Sequence, residues 1–91
     1  MLEANSLLNV LKHSERYWFW CDGPNGREWL LGRYTDRMGP RVFLDGMTVA
    51  VQPMGHHFWL HKWRIIEVHA CQPPRQPTNL LWQVGEVTRG C

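Results

Sequence analysis

The sequence predicts an α+β domain: a short N-terminal helix followed by a five- or six-stranded antiparallel meander. Three observations carry this. An i, i+3, i+4, i+7 apolar spacing marks one helical face near the start of the chain. From Arg16 onward the chain is rich in aromatic and β-branched residues broken by turn formers at short intervals. No later segment is long enough for a helical crossover between parallel strands. The meander is expected either to lie flat under the helix or to curl into a small SH3-like or OB-like barrel.

The helix is expected over about residues 3–13. Ala4, Leu7, Leu8 and Leu11 share one face, with Glu3 early and Lys12 and His13 late, as the helix dipole favours. So short a helix must dock to persist. Arg16 to Cys21 (RYWFWC) reads as the first strand, 16–21. Asp22-Gly23-Pro24-Asn25-Gly26 is a longer hairpin loop, and 27–35 is the second strand. Asp36 to Pro40 is the next turn.

Asp45-Gly46 is the clearest local signal. It marks a two-residue hairpin between strands 41–44 and 47–52, placing Leu44 opposite Met47 and Val42 opposite Val49. Val42, Leu44, Met47, Val49 and Val51 then form a core face, with Arg41, Phe43, Thr48 and Ala50 pointing away. Residues 57–69 read as one long strand, bent because its apolar parity shifts after Trp63. Three prolines within 73–77 make an extended loop. Residues 79–87 form the last strand, with Gly85 marking a bulge or an end.

The chain has 91 residues, one domain's worth, 1–91. A domain this small buries about two-thirds of its unfolded surface, so it needs large side chains, which six Trp, three Phe and two Tyr supply. Ten Lys and Arg against eight Asp and Glu leave a net charge of +2, too weak to argue for nucleic acid or an acidic membrane. Cys21, Cys71 and Cys91 are an odd set, read as free thiols in a reducing, cytoplasmic setting. No basic stretch followed by an apolar run opens the chain, so no secretory leader is expected. No apolar run approaches the ~18 residues of a membrane span.

The aromatic surplus is the first candidate for function. Along the first strand Trp18 and Trp20 face one side, and Tyr17, Phe19 and Cys21 face the other, so both faces are apolar. The helix, a second copy of the chain, or a ligand must cover the extra face. Trp18, Trp20, Tyr34, Trp59 and Trp63 are the candidate binding residues, walls for a protein partner, a small ligand or a cation or proline-rich peptide.

The histidines His56, His57, His61 and His69 offer metal-ligand chemistry. On an extended strand, however, His57 and His61 lie about 13 Å apart at the usual rise, too far to share one ion. Only His56 and His57 at a turn, joined by Cys21 or Cys71, could hold one. Basic residues interleaved with aromatics form another constellation, Arg41, Phe43, Lys62 and Arg64, with Phe58 and Leu60 beside them. These could line a single-strand nucleic-acid platform. For catalysis, Cys21, Cys71, the histidines, Asp22 and Glu67 supply residue types without a spacing that joins them. No phosphate loop, HExxH or GxSxG occurs. The sequence thus points to a binding module that self-associates as a dimer or larger, with no cofactor. A nucleic-acid-binding barrel is the alternative, and a Cys/His enzyme or metal site the second alternative.

Overall fold

The computed structural model describes residues 3–72 and 76–84. Among these residues one helix, α1 (Glu3–Val10), precedes seven strands: β1 (Arg16–Gly23), β2 (Gly26–Thr35), β3 (Arg41–Leu44), β4 (Met47–Met54), β5 (His57–Leu60), β6 (Trp63–Gln72) and β7 (Gln76–Gln83). Each strand pairs antiparallel with the next, and β1 also pairs with β6. That pairing closes six strands into a small barrel with β7 as an additional strand. The architecture is therefore mostly β, with the helix a minor part.

The barrel closes because its strands are offset. β4 pairs with β3 through Met47–Ala50 and with β5 through Val51–Met54. On β6, Arg64 lies between Asp22 of β1 and Trp59 of β5, while Glu67 lies between Trp20 of β1 and Gln83 of β7. Thus β5 and β7 follow one another along the same edge of β6. Such stagger is the shear a closed sheet requires.

The Asp45-Gly46 hairpin has the expected register, Leu44 opposite Met47 and Val42 opposite Val49. Gly46 takes a φ of 82°, open to glycine at no steric cost. The first hairpin is tighter than expected. Pro24 and Asn25 alone connect Gly23 to Gly26, so both strands run one to two residues further into the turn segment.

The long strand over 57–69 requires correction. It is two strands, β5 and β6, joined by His61 and Lys62, with Leu60 paired to Trp63. His61 adopts a φ of 56°, a left-handed conformation that costs a residue with a Cβ about 1–2 kcal/mol. The parity shift noted in the sequence is this reversal. The face shared by His57, Trp59, His61 and Trp63 does not exist, because Trp59 and Trp63 stand on opposite sides of the hairpin. The last strand is also displaced, running Gln76–Gln83, so its first two residues, Gln76 and Pro77, come from the expected Pro-rich loop. Residues 73–75, Gly85–Val87 and Cys91 lie outside the described residues.

Alternation along β1 sorts its aromatics. Tyr17, Phe19 and Cys21 point into the barrel and are buried, joined there by Val42, Leu44, Val51, Phe58, Leu60, Ile65 and Val68. Of the expected core face on β3 and β4, Val49 packs from the side, and Met47, beside the turn, is exposed. Trp82 of β7 meets Phe58 edge-on at 5.9 Å, which extends the wall past short β5.

The helix stops at Val10, short of the expected residue 13, because Tyr17 takes over its end. The Lys12 amide donates to the Tyr17 hydroxyl at 2.8 Å, and that hydroxyl donates to the Val10 carbonyl at 3.5 Å. Leu7 and Leu11 enter the core beside Tyr17 and Tyr34. Backbone bonds from Ser14 to the Tyr34 carbonyl (2.7 Å) and from Tyr34 to the Glu15 carbonyl (2.9 Å) fix the connection. The helix therefore stoppers the barrel mouth where β1 begins and β2 ends. It does not roof the outer tryptophans.

Candidate binding site

The outer face of β1, β2 and β6 holds a cluster built by register. Trp20 lies opposite Trp29, Trp18 opposite Leu31, and His69 beside Trp18. Trp29 is the hub. Its ring is edge-on to Trp18 (6.1 Å, 88°), tilted against Trp20 (5.0 Å) and edge-on to His69 (5.1 Å). Edge-to-face pairs of this kind each add about 0.5–1.5 kcal/mol beyond area burial. His69 is held in turn by the Glu67 carboxylate at 2.7 Å. The second apolar face of β1 is thus covered largely by side chains of its own sheet, leaving Trp18 and Trp20 half-buried and Trp29 39% exposed.

Beside this cluster the wall parts. β2 pairs with β3 only through Arg33, Tyr34 and Thr35. On the side away from β1, Gly26–Gly32 has no strand partner among the described residues. A groove of about 710 Å³ follows this open edge. Trp18, Trp29 and Leu31 form one wall, Phe43 and Met47 the other, with Leu30, Leu44 and Trp63 toward the interior. Phe43 is 52% exposed and Met47 40%. The Trp18 indole nitrogen, shielded from solvent, has no hydrogen-bond partner among the described residues. Arg16 and Arg33 stand directly opposite each other where the strands rejoin, and Asp45 lines the groove from the β3–β4 turn.

Trp29 was not singled out by sequence. The signal that finds it is the Trp20–Trp29 register, which needs the two-residue Pro24-Asn25 turn to be known. Of the residues that were singled out, Trp18 and Trp20 belong to the cluster, and Trp18 also lines the groove. Tyr34 requires correction as a binding wall, because it points inward and is buried in the core. Trp63 turns inward beside Leu60, and its indole N–H donates to the Glu28 carboxylate at 3.0 Å. It reaches the groove from the interior side.

Trp59 lies elsewhere, in a smaller groove of about 470 Å³ with Lys62, Arg64, His57 and Asp22. The basic and aromatic set is split between these two places. Phe43 lines the large groove, and Arg41 on the same strand donates to the Met38 carbonyl at 3.1 Å. Lys62 lies 5.7 Å from the Trp63 ring centre, and Arg64 is paired with Asp22 at 3.1 Å. Phe58 and Leu60, expected among the outward residues, are inside the barrel.

Among the described residues, no group of three or more His, Cys, Asp or Glu side chains is placed to hold a metal ion. Cys21 and Cys71 are free thiols. Burial, with the Glu28 charge as a lesser cause, pushes the Cys21 thiol up from 9.0 to about 12, so it is no nucleophile near neutrality. The unfolded thiol therefore loses its proton first as pH rises, and the stability of the folded state falls above pH 9 through about 12. The expected result is that the stability difference between wild type and Cys21→Ala narrows between pH 8 and 10.5, read from urea midpoints. A constant difference would contradict it. No helix among the described residues is long and apolar enough to cross a membrane.

Comparison of the chain with protein-family models, curated proteins and solved structures returned no match.

Proposed function

We propose that this domain is a small interaction module that holds an extended segment of a partner protein in the groove beside β2. The observation that carries the reading is the open backbone edge of Gly26–Gly32, flanked by exposed Trp29, Phe43 and Met47. An unpaired strand edge is a template for an incoming strand, and pockets for alternate side chains beside it supply selectivity. Trp18 and Trp29 are the anchors, since large rigid aromatics carry most of the energy at protein interfaces. Trp20 braces Trp29 from behind.

Selection of displayed random octapeptides on the immobilised domain tests this. The enriched sequences are expected to alternate apolar and polar residues, and Trp18→Ala and Trp29→Ala are each expected to weaken binding at least tenfold. No enrichment, or enrichment that both variants leave untouched, would overturn the reading. Tight binding of a fluorescent oligo-dT that falls steeply with added salt would favour the nucleic-acid alternative instead.

A further inference from the structure

We infer that the segment held in this groove carries an acidic side chain at the end where β2 and β3 rejoin, seated between Arg16 and Arg33. The inference rests on the peptide-binding reading and names the chemistry of its occupant. Arg16 and Arg33 are register partners on the outer face of β1 and β2, both exposed, and both line the groove.

Like charges directly opposite one another on a sheet destabilise it, so the pair is costly unless something answers it. No acidic side chain among the described residues does. Arg33 donates from Nη1 to the Ser14 carbonyl at 3.1 Å, which anchors one side of its guanidinium on a neutral acceptor and leaves its charge uncompensated. Arg16 has no hydrogen bond or ion pair among the described residues. The acids nearest in the chain are engaged or point elsewhere. Glu15 is exposed in the loop before β1, Glu28 holds Trp63, and Asp36 lies 3.1 Å from His13. A carboxylate is the group that two adjacent guanidinium forks receive best, through paired N–H donors.

The placement of the pair decides where the acid sits along the occupant. The groove closes at the Arg33–Phe43 pairing, so a strand lying along Gly26–Gly32 must leave the sheet there. The residue at that exit turns onto the outer face of the sheet, where both arginines line the groove. The following residues run along the open edge with alternate side chains toward Trp29, Leu31 and Met47. For an occupant antiparallel to β2, as both of its own neighbours are, the acidic residue leads an alternating apolar strand.

Two labelled hexapeptide libraries, N-acetylated and C-amidated to remove terminal charges, decide the matter by fluorescence anisotropy. Both alternate apolar and polar residues, one beginning with Glu and the other with Lys. The Glu library is expected to bind at least tenfold more tightly, and Arg16→Glu, on an exposed side chain that anchors nothing, should abolish the preference by pairing with Arg33 opposite. Arg33→Gln should reduce the preference while leaving the thermal melt within a few degrees. Equal binding of both libraries would overturn the acidic inference and leave the peptide groove standing. Binding of neither would overturn both. A preference that appears only with a free C-terminus would assign the arginines to a chain end and overturn the side-chain assignment. A dimer on light scattering whose groove accepts peptide only after dilution to monomer would make a second copy the occupant and overturn the inference.

Discussion

Phe19→Ala is expected to destabilise the domain by about 3–5 kcal/mol, while Trp18→Ala, one residue earlier, is expected to cost about 1–2 kcal/mol. The two side chains are large aromatics on the same strand, and only the alternation of β1 separates them. Phe19 is fully buried at the centre of the barrel, and its removal leaves a cavity whose walls, Tyr17, Val68 and neighbours in closed strands, have little room to collapse. For a domain of this size the total stability is on the order of 5–14 kcal/mol, so the Phe19 variant is left marginal. Trp18 gives up contact with Trp29 on the outside, where the remaining rings can shift and water can enter. Its larger loss is expected in peptide binding. Urea denaturation and peptide titration on both variants read this out. Equal costs for the two would show that the outer cluster is as structural as the core.

Gly32→Ala is expected to destabilise by about 1–3 kcal/mol, the scale of an overpacked site. The sign is informative, because glycine inside an ordinary strand is the less stable choice by roughly 0.5–1 kcal/mol. At Gly32 an added methyl would overlap the Val42 side chain, lie 3.0 Å from a Leu44 methyl and 3.3 Å from the Phe43 carbonyl oxygen. Relief would require β2 and β3 to separate, and only three residue pairs hold them together. Groove binding should therefore weaken together with stability in this variant. A melting temperature equal to or above that of wild type would refute the close approach.

The parts of the fold that were legible in the sequence are those governed by local chemistry. Asp45-Gly46 fixes a hairpin and its register through turn geometry alone, and the period-two alternation of Tyr17 to Cys21 sorts inside from outside before the barrel is known. Three features escaped because they depend on distant residues. The His61-Lys62 reversal carries none of the Gly or Asn that marks a positive φ, so it read as a bent strand. The helix length is set by the Tyr17 hydroxyl, seven residues beyond Val10. Tyr34 looked like a surface aromatic until the closed barrel placed it inside with Leu7 and Leu11. The candidate site was half visible. Trp18 and Trp20 were found from their strand, whereas Trp29 and the arginine pair follow from the β1–β2 register that the tight Pro24-Asn25 turn sets, and the open edge from how β2 leaves β3, which no single segment encodes.

The order in which the barrel assembles follows from its connectivity. Among the described residues every strand pairing except one joins strands adjacent in the chain, and most of those hairpins turn in two residues, so each can form quickly and independently of the others. The exception is β1 with β6, where Trp18 must find His69 across fifty-one positions. The loop-closure entropy of that single encounter is the main entropic obstacle on the way to the native state. The strand that bears the most aromatic residues is also the one that must make it. Tyr17, Phe19 and Cys21 supply the contacts that reward closure from within, and the tryptophans supply them from without. The aromatic density of β1 thus serves the kinetics of folding as well as the surface it presents afterwards.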